Sequence, residues 1–290
     1  MKIVVTGAAG HLGAPVCRRL AADGHEVCGA DQRYRGDLPG RFEVVDLLDP
    51  IACYRLLQGG DALVHLANHS SLKWAGPLTV FTENMRMNAN MFQAAADLGV
   101  KRVIFASSIQ VIDGAPAAGE QIVLPAYLPL DGDAPAHPDN LYALSKSLSE
   151  HLLAYHALRT PLTGIAIRFP GISHPRMLAP DSTTWIDPRQ AERLRDAFAL
   201  LHIEDAVSLV SALVAADLPA GFRRYLPASP GDLMGMSAQD VIRTYFPAVP
   251  LRQPIEQIER LVDPTALERD TGWKSCTPVH QRLHPSPRRN

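Results

Sequence analysis

Cysteine is scarce in this sequence. The four thiols, Cys17, Cys28, Cys53 and Cys276, are far apart and form no paired spacing, which excludes a disulfide scaffold and a cysteine-based zinc or redox motif. They read as reduced thiols of a cytoplasmic protein. The eleven histidines are equally dispersed, so no metal centre is expected. An excess of one charge is missing too. With 28 basic and 30 acidic residues and a formal net charge of -2, scattered without runs, no field is set up to hold nucleic acid or an anionic membrane. No apolar stretch is long enough to span a bilayer. Met1 leads straight into the strand-like KIVVT, with no basic-then-apolar leader, and a cytoplasmic location is expected.

What the sequence does contain is alternation. Short apolar runs recur at Lys2 to Thr6, Glu26 to Ala30, Phe42 to Val45, Ala62 to Leu66, Val103 to Ala106 and Thr163 to Ile167, each apolar enough to be buried on both sides. Between them lie helix-period segments, Gly13 to Ala22, Pro50 to Leu57, Asn84 to Leu98 and Leu141 to Leu158. Such alternation specifies a parallel sheet covered by helices on both faces. After Arg168 the pattern breaks at Pro170, Pro175, Pro180 and Pro188. Helical spacing returns over Ile203 to Ala216, and residues 222 to 226 read as a late strand. The predicted division is a dinucleotide-binding unit over 1–170, rejoined by 200–228. A smaller substrate lobe takes 171–199 and 229–283, and 284–290 form a frayed tail.

Directly after the first strand, Thr6-Gly7-Ala8-Ala9-Gly10-His11-Leu12-Gly13 gives three glycines and then an amphipathic helix. A backbone that approaches a pyrophosphate needs residues without a Cβ, and the following helix directs free N–H groups and its positive end at the phosphates. Gly7 permits the turn, Gly10 the close approach, and Gly13 the packing of helix on strand. Asp31 closes the second strand about 20 residues on, where a carboxylate accepts hydrogen bonds from both hydroxyls of an adenosine ribose. That carboxylate repels a 2′-phosphate, so NAD is expected in preference to NADP, although Arg33 offers a guanidinium nearby. The fold class expected is α/β, a Rossmann-type doubly wound parallel sheet with a smaller C-terminal substrate lobe.

Tyr142 and Lys146 are four residues apart at the start of a predicted helix, on one face of it. An adjacent ammonium is expected to lower the phenol from about 10 toward working pH. Tyr142 then takes the proton of a substrate hydroxyl as hydride leaves. Ser107 and Ser108 end a buried strand, at the edge where such sheets bind ligands, and Ser108 is placed to hydrogen-bond the reacting oxygen. His69, Ser70 and Arg176 are candidates to face the substrate.

Together these residues resemble the extended short-chain dehydrogenase/reductases, the NAD-dependent epimerase/dehydratase type, over most of the chain. TGAAGHLG looks like that family's cofactor turn, which implies contacts from Gly7, Gly10, His11, Leu12 and Gly13. Asp31 resembles its ribose-binding acid, Asp46 and Leu47 its adenine-side pair, and His65-Leu66-Ala67 its "HLA" run lining the cofactor. Asn84 resembles the first residue of its active-site-organising helix, and Ser108, Tyr142 and Lys146 resemble its catalytic Ser, Tyr and Lys. The resemblance extends to Phe169 beside the nicotinamide, to Leu201-His202-Ile203-Glu204-Asp205 and to Thr271-Gly272-Trp273-Lys274. It implies a sugar epimerase or dehydrogenase acting on a secondary hydroxyl of a sugar-like substrate, and a homodimer. The alternative is an inactive NAD(P)-sensing protein on the same fold.

Two departures narrow the resemblance. The Asn that nucleotide-sugar members carry past Arg168 is replaced by Pro170 or Gly171, and Ile112 stands where the strand-end run has Tyr. A smaller substrate is implied. The NAD-dependent uronate dehydrogenases have a similar outline, and Arg176-Met177-Leu178 resembles them.

Overall fold

In the computed structural model the described residues are 1–72, 75–112, 124–173, 183–186, 196–231 and 235–283. Seven parallel strands form the main sheet: β1 (Lys2–Thr6), β2 (Glu26–Asp31), β3 (Arg41–Val44), β4 (Ala62–His65), β5 (Arg102–Ser108), β6 (Thr163–Phe169) and, further along the chain, β10 (Gly221–Tyr225). Their spatial order is β10-β6-β5-β4-β1-β2-β3. The chain therefore moves outward one way from β1, returns, and moves outward the other way from β4. The crevice at the carboxyl ends of β1 and β4 is the switch point where such sheets bind ligands.

Successive residues of a strand face opposite sides, and β1 shows it. Ile3 and Val5 enter one core with Val16 and Leu20 of α1 (Gly13–Ala22), joined by Leu209 and Leu213 of a later helix. Val4 enters the other with Leu56 of α2 (Pro50–Leu57), Met91 and Phe92 of α3 (Pro77–Asp97) and Leu153 of α4 (Leu141–Ala157). The strand β3 departs from the expectation of burial on both sides. As the sheet's edge it has only one neighbour, and its residues are half-buried or exposed.

Past β6 come the short pairs β7 (Gly171–Ile172) with β9 (Leu200–Leu201), and β8 (Thr183–Ile186) with β11 (His280–Leu283). The helix α5 (Ile203–Ala215) then packs on the sheet, ahead of β10. A third apolar cluster gathers Phe198, Val241 and Ile242 of α6 (Ala238–Tyr245), Phe246, Ile258 and Val262. Leu128 and Leu130, which the sequence division puts in the first unit, belong to this cluster. They bridge to Leu251 and Val262. A last short helix, α7 (Thr265–Thr271), brings Leu267 and, just beyond it, Trp273 back onto the sheet core. The predicted tail, 284–290, lies outside the described residues. Among the described residues no helix is long and apolar enough to cross a membrane, and no group of three ligating side chains stands ready for a metal.

Candidate active site

The glycine turn is built by exclusion of side-chain atoms. Gly7 has φ +69, and a Cβ on it would lie 2.8 Å from Ala67 N; a Cβ on Gly13 would lie 2.1 Å from Gly7 O. At Gly10 a Cβ would meet Gly7 O at 3.0 Å. Protein backbone thus fills the space a side chain would need, and the turn closes only with glycine at Gly7 and Gly13. The first turn of α1 has no side-chain cap, because Leu12 occupies the cap position; Ala14 N donates to Gly10 O at 3.3 Å, and the positive end of the helix faces the crevice. His11 sets its Nε2 3.2 Å from Ser173 O.

Asp31 stands at the end of β2. Its carboxylate accepts from Ala9 N at 3.1 Å and Arg33 N at 3.1 Å, which fixes the acid against the glycine turn. Asp46 accepts from Leu48 N at 2.9 Å, with Leu47 buried beneath it. Leu66 and Ala67 form the wall behind Gly7. A dinucleotide fits this surface: a side-chain-free turn, an uncapped helix start and a fixed carboxylate lie in sequence along one crevice.

Across the crevice, α4 starts where Asn140 accepts from Ala143 N at 2.9 Å, an ordinary N-cap. Tyr142, Lys146 and Glu150 then follow at intervals of four, all on one buried face. Ser108, at the end of β5, hydrogen-bonds the Tyr142 phenol and accepts from Gln110 N at 3.2 Å. The Lys146 ammonium lies 5.8 Å from the centre of the Tyr142 ring and 4.8 Å from that of Phe105. It donates to Asn68 Oδ1 at 2.6 Å and Ala106 O at 2.8 Å.

The electrostatics differ from the expectation that the ammonium lowers the phenol. Burial pushes Tyr142 up to about 12, against the hydrogen bond from Ser108. Burial likewise pushes Lys146 down to about 7, with Glu150 pulling the other way. The reason is physical: both groups are shut away from water, and burial disfavours the charged form of each.

Other expected site residues fall in different places. Asn84 does not begin its helix; α3 starts at Pro77, and Asn84 is buried in its second turn. Its amide holds His69, accepting from His69 N at 2.8 Å and donating to His69 O at 3.1 Å, and also donates to Ser145 Oγ at 3.3 Å. The His69 ring is 2.6 Å from Glu83. Ser70 belongs to the same loop after β4. Ser107 turns its hydroxyl away from the crevice to Glu150, at 2.6 Å. Phe169 is buried at the end of β6. Arg176 lies outside the described residues.

Three site residues escaped the sequence reading. Glu150 is joined by Arg168 at 2.8 Å, and Arg168 donates on to Ala134 O at 2.6 Å; the repeat of four after Lys146 was its only signal. Asn68 and Asn88 gave none, since their partners are remote in sequence.

The sequence profile of the "NAD dependent epimerase/dehydratase family" matches residues 3–218. A uronate dehydrogenase of Pseudomonas syringae pv. tomato is 32% identical over 204 residues, 67% of this chain and 67% of that protein. A UDP-glucose 4-epimerase of Lactobacillus helveticus is 28% identical over 178 residues, 58% of this chain and 51% of that protein. The chain thus matches about half to two thirds of the length of such relatives. Among solved structures, an NAD-bound short-chain dehydrogenase/reductase superfamily protein from Agrobacterium tumefaciens superposes with a TM-score of 0.69 at 20% identity, covering 96% of this chain and 93% of that one. At that identity the likeness shows the fold. With three quarters of its length inside the matched profile, the chain belongs to the NAD-dependent epimerase/dehydratase family, and its cofactor is NAD.

Proposed function

We propose that the chain is an NAD-dependent dehydrogenase that oxidises a secondary hydroxyl of a sugar or sugar acid carrying no nucleotide. The observation that carries this reading is the Ser108–Tyr142 hydrogen bond, with Lys146 one helical turn on, opposite the glycine turn. Pro170 and Gly171 where nucleotide-sugar enzymes carry Asn, and uronate dehydrogenases among the relatives above 30% identity, favour the smaller substrate.

Gly7, Gly10, Leu12 and Gly13 would hold the pyrophosphate, Asp31 the adenosine ribose, and Lys146 the nicotinamide ribose. Bound NAD⁺ supplies the hydride acceptor and a positive charge beside the phenol, which favours the phenolate. Ser108 donates to the oxygen that shares its site with Tyr142, fixing the substrate hydroxyl. Tyr142 receives the hydroxyl proton at Oη as the carbonyl forms, and Lys146 keeps a cation near the phenolate. Asp31 favours NAD over NADP, since a 2′-phosphate would meet its carboxylate.

The test is a panel of uronates, free sugars and sugar nucleotides with NAD, read by NADH absorbance. Net oxidation predicts one NADH per product; turnover with no added NAD and no NADH would assign an epimerase instead. Tyr142→Phe is expected to lower kcat by about 10²–10⁴-fold while NADH still quenches protein fluorescence with unchanged affinity. Normal turnover by that variant would sink the mechanism. The exposed Leu148 and Tyr155 of α4, on one stripe of the helix, support a homodimer through α3 and α4. Light scattering of Tyr155→Glu should report a monomer.

A further inference from the structure

A closed chain of buried polar side chains ends on Lys146, and its donor directions can be assigned one after another. Ser149 Oγ is 2.7 Å from Ser145 O and 3.7 Å from the Met85 sulfur, so its single proton goes to the carbonyl. Ser149 therefore accepts from Asn88 Nδ2, at 2.7 Å. That turns Asn88 Oδ1 the other way, where it receives His65 Nε2 and Asn68 Nδ2, both at 2.9 Å.

Both of those groups are now donors, and the consequences run in two directions. His65, neutral because burial pushes it down to about 3, must accept at Nδ1 from Thr6 Oγ1, 2.7 Å away. Thr6 in turn accepts from Ala67 N at 3.3 Å. Asn68, with its NH₂ committed to Asn88, has only its carbonyl oxygen left for Lys146, at 2.6 Å. An amide whose orientation is fixed by its network presents one fixed dipole.

We propose that Asn68, oriented by Asn88 and through it by His65 and Ser149, is a positioning residue that keeps Lys146 charged and aims its ammonium into the crevice. With Asn68 Oδ1 and Ala106 O taking two of its protons, Lys146 has a third directed elsewhere. The network also reaches the last residue before Gly7, so it ties the lysine to the floor of the cofactor turn. The inference rests on the reading of Lys146 as a cofactor-binding residue.

The charged and titratable groups around Lys146 are Tyr142 and Glu150 on α4, His65 on β4, and Arg168 on β6, which is engaged by Glu150. None of them bonds Asn68 directly; His65 is linked to it only through the shared acceptor Asn88 Oδ1. A carbonyl facing an ammonium favours the charged form; removing it lets burial lower Lys146 further, and a carboxylate in its place raises Lys146.

The experiment is fluorescence titration of NADH between pH 5.5 and 9. The midpoint at which affinity falls should move down by about one pH unit in Asn68→Ala and up by about one to two in Asn68→Asp, with thermal melting as a folding control. A structural defect would not move two variants in opposite directions. Should Asn68→Ala fail to fold, Asn88→Ala, which leaves Asn68 in place and frees its amide to turn, carries the same downward shift. Midpoints equal to wild type in these variants would overturn the proposal. Lys146→Ala separates the two readings: unchanged NADH affinity and turnover there would reject the role of Lys146 itself, whatever Asn68 does.

Discussion

Two carboxylates of this protein are each only 1% exposed, Glu150 on α4 and Asp205 on α5, and they are satisfied in opposite ways. Glu150 meets a full charge: the Arg168 guanidinium donates to both its oxygens, at 2.8 and 3.0 Å, and Ser107 Oγ also donates to it at 2.6 Å. Asp205 meets neutral donors, accepting from Thr277 N at 3.0 Å, Cys276 N at 3.2 Å and Ser229 Oγ at 3.1 Å. The Asp205 set staples the chain after Trp273 to the first turn of α5, where the helix dipole also favours an anion. Glu150 stands one turn beyond Lys146, so its charge enters the electrostatics of the site. One buried acid organises backbone, and the other organises charge.

The contrast breaks most visibly at Glu150. Glu150→Ala strands a buried guanidinium, and loss of one partner of such a pair destabilises by about 3–5 kcal/mol. Urea unfolding should show that loss, and Glu150→Ala combined with Arg168→Met should recover most of it. If the single variant unfolds at the wild-type midpoint, Glu150 and Arg168 do not form the pair described.

Asp205→Ala should have a smaller effect, about 1–3 kcal/mol, because the groups it abandons are neutral and some can turn to water. Hydrogen exchange at the Cys276 and Thr277 amides should accelerate, while NADH affinity stays within a few-fold of wild type. A loss as large as that of Glu150→Ala would erase the distinction between the two sites.

The same contrast governs what could be read from the sequence. The strands β1, β2 and β4 and the helices α1 and α2 were legible because their signals are local: apolar runs, glycines at a turn, a Pro at the helix start. Tyr142 and Lys146 were legible because four residues bring them onto one face. The start of α3 was misplaced at Asn84, although Gly76 and Pro77 mark a helix N-terminus; the exposed Leu78 blurs the apolar stripe that would have extended the helix back to Pro77. The partners of Glu150, Asp205 and Asn68 come from elements 18 to 78 residues away in sequence. No spacing rule reaches that far, and only the packed sheet brings them together.

The smallest effect expected has the opposite sign, and it tests whether α4 trades stability for chemistry. Burial holds folded Lys146 down to about 7, whereas an unfolded lysine titrates near ~10.4. Between those values the unfolded chain binds the extra proton. Stability contributed by this group therefore rises as pH rises from about 7 toward ~10, and the penalty is fully present below 7. Lys146→Met removes the penalty and fills the same space with an apolar chain. Its stability at pH 7 should increase by roughly 1 kcal/mol or more, with loss of turnover. Its unfolding free energy should also lose the upward slope between pH 7 and ~10 that wild type shows. Denaturant titrations at pH 7 and pH 9 measure both quantities. A Met variant less stable than wild type at pH 7 would mean that the bonds to Asn68 and Ala106 outweigh the burial of the charge, and that this face of α4 is built for stability as Asp205 is.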